Sequence, residues 1–147
     1  MQTAAVGPWI VAVPTKSVQD LLGADTPLWA SPGGQLLLLY DDLAVPALDL
    51  PARWNAPNAG PAASGAALML QPQPGDAPFG LRVDAVGGRQ SLLFWSLPRA
   101  LQSLCGVQAA ALTGVPWQPQ SEHPVLLLDL DWLREEVGAC AELGDIR

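Results

Sequence analysis

Short apolar runs, separated by turns rich in glycine and proline, set the pattern of hydrophobic and polar positions along the 147 residues. Short runs with β-branched members, bounded by turn residues, are typical of strands rather than of helices. The pattern predicts strands at residues 2–6, 9–13, 35–40, 43–50, 66–70, 79–86, 108–115 and 125–130. We therefore expect a mainly β fold.

Helical spacing is predicted first in the segment that follows the strand at residues 9–13. Thr15 is placed to cap a helical turn, and Gly23 provides a stop. The apolar residues between them recur at helical spacing, at Val18, Leu21 and Leu22. A second short helix is expected at residues 98–105.

A C-terminal helix is predicted at about residues 131–143. Its apolar positions recur at three- and four-residue steps, at Leu130, Leu133, Val137 and Cys140. Asp129 or Asp131 is placed at its N-terminus, where a carboxylate satisfies free backbone N–H groups.

Turn residues predict how the strands are joined. Asp41-Asp42 is expected to form a hairpin turn, and Pro46 puts the strand that follows at a sheet edge or at a bulge. Gly87-Gly88 is expected to permit a bend after the strand at residues 79–86.

An internal repeat is suggested by two pairs of segments. Residues 45–50 (VPALDL) and 125–130 (VLLLDL) share four of six residues, and residues 9–13 and 79–83 both begin with an aromatic residue and end with valine. We interpret this as two similar small barrels packed on a shared apolar seam, because half of the chain is marginal as an independent core. Chance similarity between leucine-rich strands remains the alternative.

The domain interpretation follows from these elements. Residues 1–147 form a single domain, in which a first barrel takes up residues 1–54 with part of the second half. A linker is expected at residues 55–65, a second barrel at about 66–130 and the C-terminal helix after it.

Composition and charge exclude several classes of partner. The net charge is −7, and the seven Lys and Arg residues are scattered singly, so no basic stripe is available for nucleic acid or an anionic membrane surface. The apolar runs are far shorter than the roughly 18 residues of a membrane span, and no secretion signal is expected. Two cysteines form no disulfide framework, so we expect a cytoplasmic protein.

The search for catalytic or metal-binding residues gives weak candidates only. His123 is the single histidine and lies in a polar turn, and no G-x-S-x-G segment is present. A zinc site would need Cys105, His123 and Cys140, which include no closely spaced pair of ligands. Residues 60–65 have phosphate-loop glycine spacing but lack the Lys-Ser/Thr that must follow. We expect no cofactor, no metal and no enzymatic activity.

Carboxylates and tryptophans each have a structural and a functional interpretation. Asp129 and Asp131 could share a metal or act as an acid–base pair, but their position at the start of a helix favours capping. Asp49 and Asp84 are expected to secure turns or backbone groups. Trp29 and Trp117 lie in proline-rich loops and are the candidate exposed anchors among six tryptophans, which otherwise fill the core.

Four segments, in order, resemble the CheW-like family of bacterial chemosensory adaptor domains. Residues 17–23 (SVQDLLG) are similar to V-x-x-V-Q-E-I, and residues 39–50 (LYDDLAVPALDL) to N-L-R-G-x-V-V-P-V-I-D-L. Residues 80–86 (GLRVDAV) match G-L-x-V-D-x-V at every fixed position. Residues 112–115 (LTGV) and 126–133 (LLLDLDWL) resemble the closing I/V-x-G-V and L-L-L-D-x-x-x-L.

The resemblance implies two small five-stranded β-barrels packed together, with short helices and a C-terminal helix. It also implies a non-enzymatic adaptor in two-component signal transduction that links a chemotaxis-type histidine kinase to the cytoplasmic tip of a chemoreceptor. In the family that tip lies in the groove between the barrels, an expected helix-in-groove contact. The candidate partner-binding residues here are Leu21, Leu22, Leu38, Tyr40, Asp41 and Asp42.

One departure from the family pattern bears on the partner. Asp41-Asp42 stands where the family has Arg-Gly, which replaces one positive charge by two negative charges. Such a reversal is expected to weaken binding to an acidic receptor tip or to redirect it to a basic partner. We therefore also consider a divergent adaptor that serves pilus motility, cell-pole organisation or another chemosensory pathway, located near receptor arrays or the cell pole. A peptide- or ligand-binding β-barrel module outside chemosensing is the alternative, and an acid-dependent hydrolase using Asp129 and Asp131 is a remote third.

Overall fold

Two six-stranded β-sheets and a C-terminal helix make up most of the computed structural model, which describes residues 1–30, 36–54, 65–91, 94–96, 112–116 and 125–145. The strands of the first half are β1 (Gln2–Val6), β2 (Trp9–Val13), β3 (Val18–Leu22), β4 (Leu28–Ala30), β5 (Leu36–Tyr40) and β6 (Leu43–Asp49). Those of the second half are β7 (Ala67–Leu70), β8 (Phe79–Arg82), β9 (Ala85–Arg89), β10 (Phe94–Ser96), β11 (Leu112–Pro116) and β12 (Val125–Leu128). The α-helices within the described residues are α1 (Leu50–Arg53) and α2 (Leu130–Asp145).

The internal repeat is confirmed by the strand order. Sheet 1 runs β10-β11-β12-β2-β1-β9, and sheet 2, read from its opposite edge, runs β4-β5-β6-β8-β7-β3. Each strand of one sheet therefore corresponds to the strand six places along in the other. The single parallel pairing in each order, β12 with β2 and β6 with β8, falls at the same place. The mainly β, two-sheet class is confirmed.

Each half divides its strands between the two sheets, because the chain changes sheets after the first hairpin of each half. β3 follows the β1–β2 hairpin of sheet 1 but pairs with β7 in sheet 2, and β9 follows the β7–β8 hairpin but pairs with β1. Each sheet therefore combines the first hairpin of one half with four strands of the other half and has six strands, where five-stranded barrels were expected. β3 and β9 are edge strands of their sheets.

The prediction of one strand over residues 79–86 is wrong, because the chain changes sheets at Val83 and Asp84. Val83 N–H donates to Ala66 O at 3.0 Å, and Asp84 N–H donates to Ala5 O at 2.8 Å. The two successive amides thus bond to different sheets. Gly87 and Gly88, where a bend was predicted, lie within β9, and the register with β1 shifts opposite them, between the Gln2–Arg89 and Ala4–Val86 pairs.

The helix predicted after Thr15 is wrong beyond its first turn. Residues Thr15–Ser17 form a single 3-10 turn without a side-chain cap, and Val18–Leu22 is β3. Pairing with β7 satisfies the backbone of β3, so a tertiary contact overrides the local helical spacing.

Pro46 lies in an interior strand, so its predicted place at a sheet edge is wrong. β6 lies between β5 and β8, but its pairing with β8 covers only Ala47 to Asp49. Toward β5, the two-residue turn makes Tyr40–Leu43 the first hydrogen-bonded pair of the hairpin. Hydrogen-bonded and non-hydrogen-bonded pairs alternate along an antiparallel ladder, so the Leu37–Pro46 pair has no mutual hydrogen bonds. The missing N–H of proline is therefore not needed at this position.

The remaining predicted elements agree with the structure to within two residues where it describes them. β6 ends at Asp49, since Leu50 begins α1, and α2 begins at Leu130, next to the expected Asp129. The predicted helix at 98–105 and nearly all of the predicted linker at 55–65 lie outside the described residues. Of the strand predicted at 108–115, residues 112–115 are described and belong to β11.

The main core lies between the two sheets and under α2. Sheet 1 contributes Ala4, Val6, Val11, Val13 and Leu128, sheet 2 contributes Leu48, Leu68, Leu70, Phe79 and Leu81, and α2 contributes Leu133 and Val137. A smaller cluster lies on the other face of sheet 2, formed by Leu28, Leu38, Val45, Ala47, Ala67 and Met69. Strand β7 divides its side chains between the two by simple alternation and is buried on both faces.

Candidate functional site

An open groove lies between the edge strands β3 and β9. β3 contributes Leu21 and Leu22, and β9 contributes Ala85 and Val86. The groove has a volume of about 380 Å³. Its apolar wall is completed by Gly23, Ala24 and Ala66, and among the described residues Asp84 is the one charged residue that lines it. The groove is thus a mainly apolar channel between edge strands of the two sheets.

Two of the sequence-predicted partner residues lie in this groove. Leu21 is 41% exposed and is one of three large hydrophobic side chains that the described residues leave exposed, with Trp29 and Leu43. Leu22 is half-buried and packs against the smaller core cluster. Leu21 thus gives the groove an exposed apolar surface, and Leu22 beside it is held by packing against the smaller core cluster.

Tyr40 lies outside the groove lining but contacts the strand that forms it. Its hydroxyl donates to Asp20 Oδ2 at 3.0 Å, and Asp20 immediately precedes Leu21. This hydrogen bond, with the negative charges of Asp20 and Asp41, raises the pKa of the Tyr40 hydroxyl above its ordinary value of 10.0. The hairpin that carries Tyr40 is therefore held against β3.

Asp41 and Asp42 form the predicted hairpin turn. Their φ angles are 49° and 63°, the left-handed pair that a two-residue type I′ turn requires. Aspartate tolerates this region better than most residues because its short side chain bonds locally. Both residues are exposed at the tip of the β5–β6 hairpin.

Leu38 does not lie on this surface. It is fully buried at the centre of the smaller core cluster, and a side chain added at Gly80 would collide with it. Side chains alternate along a strand, so Leu36, Leu38 and Tyr40 lie on one face of β5, and that face packs on the smaller core cluster. We therefore remove Leu38 from the candidate set.

The β9 side of the groove was missed by the sequence reasoning. Ala85 and Val86 belong to the segment that resembles the family pattern G-L-x-V-D-x-V, but neither was selected as a partner residue. Their exposure depends on the crossing at Val83 and Asp84, which separates them from β8. No local sequence pattern marks that crossing. Its effect in the structure is the change from the buried residues of β8 to the mostly exposed residues of β9.

The carboxylates of Asp129 and Asp49 bond backbone N–H groups at the starts of helices. Asp129 Oδ1 accepts from the N–H groups of Asp131 and Trp132, at 3.0 and 3.2 Å, so the predicted cap is confirmed. Asp49 accepts from Ala52 N–H at 3.1 Å and caps α1. No group of three or more His, Cys, Asp or Glu residues within the described ranges is arranged to hold a metal ion. His123 and Cys105, and the side chain of Cys140, lie outside the described part of the chain.

Asp84 bonds backbone groups as predicted. Its Oδ2 accepts from Gly7 N–H at 2.5 Å and fixes the β1–β2 turn, where Gly7 has a φ of 56°. The same residue lines the groove, so a carboxylate that holds one hairpin also faces the candidate site.

The described tryptophans include the buried Trp54 and, as expected, the exposed Trp29. Trp54 is buried, and Trp9 packs edge-on against it with ring centroids 5.7 Å apart. Trp29 is 47% exposed, although it lies in strand β4 and not in a loop. Trp117 lies outside the described residues.

Comparison with known proteins gives a structural match without a sequence match. No sequence family matches the chain, and no curated protein does. The crystal structure of the scaffolding protein TtCheW from Thermoanaerobacter tengcongensis is similar with a TM-score of 0.63, over 87% of this chain and 86% of that one. This chain has a CheW-like fold. The two sequences are 13% identical, so the likeness is one of architecture.

The CheW-like fold agrees with the resemblance that four short segments indicated. Of the described helices, none is both long and apolar enough to cross a membrane. Ion pairs on the surface of the fold join Arg53 to Glu136 and Arg134 to Asp76 and Asp131, away from the groove lining.

Proposed function

We propose that this chain is a non-enzymatic scaffold of bacterial chemosensory signal transduction, formed by a single CheW-like domain over residues 1–147. It links a chemotaxis-type histidine kinase to the cytoplasmic tip of a chemoreceptor, or to a related motility or polar array, by protein–protein contacts. The CheW-like fold carries the proposal, because it extends over 87% of the chain and the matching protein is a scaffolding protein. Its proposed location is the cytoplasm, near receptor arrays or the cell pole.

The groove between β3 and β9 supports a helix as the bound element. An amphipathic helix presents apolar anchors at steps of three and four residues, and it needs an apolar channel rimmed by polar groups. Leu21 and Val86 supply apolar contacts from opposite walls, and Asp84 supplies a polar group in the lining. The volume of about 380 Å³ fits a few anchor side chains rather than a large cofactor.

The experiment is co-purification with the chemosensory kinases and receptor tips of the same cell, using the full chain. Enrichment of either partner is expected, and Leu21→Glu should weaken receptor binding by about tenfold or more, because it places a charge in the apolar groove. Leu21 is already 41% exposed, so this variant should fold. Absence of both partners, or full binding by Leu21→Glu, would count against the proposal.

The second candidate is a β-barrel peptide- or ligand-binding module outside chemosensing. It is favoured by Trp29, a large aromatic side chain left 47% exposed on the edge strand β4. A partner bound there should quench tryptophan fluorescence in the wild type but not in Trp29→Ser. Trp29→Ser is also the matched control for Leu21→Glu, since each candidate function expects one variant to lose binding and the other to keep it.

A further inference from the structure

We propose that the partner segment bound in the groove carries basic residues flanking its apolar strip, so that Lys- or Arg-flanked helices bind and acidic ones do not. This inference rests on the proposed function, because it takes the groove between β3 and β9 as the partner site. It adds the charge of the partner, which is decided by the side chains around the groove.

Three carboxylates lie along the β3 side. Asp20 directly precedes the exposed Leu21, and its Oδ2 is held by the Tyr40 hydroxyl at 3.0 Å. Tyr40 is followed by the exposed turn residues Asp41 and Asp42. The hydrogen bond therefore brings the hairpin tip and its two charges to the strand that carries Asp20.

Two further carboxylates lie on the remaining sides. Asp84 is exposed and lines the groove at the start of β9. Asp25 is exposed beside Gly23, and its Oδ1 lies 3.2 Å from the position that a Cβ at Gly23 would occupy. Gly23 is itself part of the groove wall. Asp84 thus lies in the groove lining, Asp25 lies beside its Gly23 end, and Asp20 lies on the strand that forms the β3 wall.

These groove carboxylates form no ion pair with the basic residues that the structure describes. Three of those basic residues are paired elsewhere, since Arg53, Arg82 and Arg134 contact carboxylates outside the groove. Arg89 lies three residues beyond Val86, about 10 Å along an extended strand. Lys16 precedes the far end of β3, a five-residue strand that spans about 13 Å or more.

Because of these distances, the described charges around the groove have a net negative sign. Exposed charges separated by about 8–10 Å are largely screened at physiological salt, so Lys16 and Arg89 neutralise little of the charge at the groove. An acidic partner would bring like charges together, whereas a basic partner gains complementary contacts and faster association. Each exposed pair is worth a factor of about 1.5 to 5 in affinity, and several pairs together give a clear preference.

The test uses three synthetic helical peptides with the full chain. Two share one apolar stripe of leucine and alanine and differ only in flanks of lysine or glutamate; the third has the lysine flanks with the stripe scrambled. Binding is measured by fluorescence anisotropy at low and at physiological salt. The lysine-flanked stripe peptide should bind about tenfold or more tighter than the glutamate-flanked one, and the difference should shrink as salt rises.

A matched pair of variants locates the charge effect. Asp42→Asn removes one charge at the turn, and asparagine keeps the left-handed conformation. Glu135→Gln removes one charge on the exposed face of α2. Affinity for the lysine-flanked stripe peptide should fall about two- to fivefold in Asp42→Asn and stay unchanged in Glu135→Gln.

Each other outcome overturns the inference in a recognisable way. Equal binding of the two stripe peptides would leave the groove as a helix site and refute the charge preference. Equal binding of the ordered and scrambled lysine peptides, or equal loss in both variants, would mean attraction to the overall charge of −7 and not to this site. If no peptide binds, the groove is not a helix site and this inference fails, whereas the scaffold function is decided separately by the co-purification.

Discussion

Tyr40 and Asp20 are joined by a hydrogen bond of 3.0 Å, although three strands separate β5 from β3 in sheet 2. In a flat sheet, four strand spacings of about 4.8 Å would hold their backbones about 19 Å apart. A tyrosine side chain cannot reach that far, so sheet 2 must curl until its two ends approach each other. The bond ties the acidic hairpin tip to the strand that lines the groove.

The titration of Tyr40 tests this relationship. Tyr40 is the only tyrosine, so its tyrosinate absorbance is free of overlap. Its pKa should lie above 10.0 in the folded protein, chiefly because the hydroxyl donates to Asp20. A raised pKa means that the neutral form is favoured by folding, so this stabilisation is complete below the unfolded pKa and is lost as pH rises through the folded pKa.

The variant Asp20→Asn should lower the Tyr40 pKa toward its ordinary value by removing a charge and a charged acceptor. Asp76→Asn is the control, because Asp76 pairs with Arg134 and is not among the groups that shift the Tyr40 pKa. An unchanged titration curve in Asp20→Asn would show that the two side chains do not bond in solution.

Asp49 and Asp129 occupy equivalent places in the repeat, and their replacement by alanine should have unequal costs. Asp49 caps α1 and also holds Arg82, whose Nη1 donates to both carboxylate oxygens at 2.8 Å. The Arg82 side chain is 10% exposed, so Asp49→Ala leaves a buried charge unpaired and should cost about 3 kcal/mol. Asp129→Ala loses a cap alone, worth about 1 kcal/mol. Urea unfolding of both variants measures the difference, and equal losses would refute the special role of Arg82.

Adjacent glycines in β9 offer a second matched pair. A Cβ at Gly87 would lie 2.5 Å from Thr3 Oγ1 and 3.2 Å from Thr3 O, whereas a Cβ at Gly88 would meet nothing within 4 Å. Gly87→Ala should therefore push β9 from β1 and destabilise the fold by about 1–3 kcal/mol. Gly88→Ala should leave the melting temperature nearly unchanged. A similar melting temperature for the two variants would contradict the close approach of β1 and β9.

The turn at Asp41 and Asp42 should be improved by glycine. Asp42 has a φ of 63°, a conformation that costs a residue with a Cβ about 1 kcal/mol. Asp42→Gly removes that cost, and the gain should be about 0.5 kcal/mol after the entropy of the added glycine is subtracted. Asp25→Gly is the control, since Asp25 has no positive φ and should gain nothing. Thermal unfolding would decide, and a loss of stability in Asp42→Gly would refute the type I′ assignment.

Reversing the charge of the turn should change partner choice. The double variant Asp41→Arg with Asp42→Gly restores the family-like residues at the hairpin tip, and binding to an acidic receptor tip should strengthen by about tenfold as repulsion becomes attraction. The comparison variant Asp42→Gly alone separates turn stability from charge. Unchanged affinity in the double variant, measured by titration calorimetry, would place the hairpin outside the contact.

Local patterns explain what the sequence predicted well. β2, β5, β7 and β12 follow short apolar runs, and Asp129 precedes a helix whose Leu133 and Val137 repeat at a four-residue step. The turn at Asp41-Asp42 was also predicted, because turn chemistry depends on the residues themselves. The resemblance of four short segments also indicated Leu21 and Leu22, which line the groove, and their role in binding a partner stays a prediction.

Pairing between distant segments explains what the sequence could not predict. Val18 to Leu22 has helical spacing, yet β7, more than forty residues away, pairs with it and makes it a strand. The crossing at Val83 and Asp84 depends on bonds to Ala66 and Ala5, which no local window contains. The sequence by itself therefore determined the strand-rich class, the caps and the acidic turn, through residue chemistry that acts over a few positions. Tertiary structure alone decided that β3 pairs with β7 and β9 with β1, that Leu38 is buried and that a groove opens beside Leu21, because each depends on which remote strand supplies the hydrogen-bond partners.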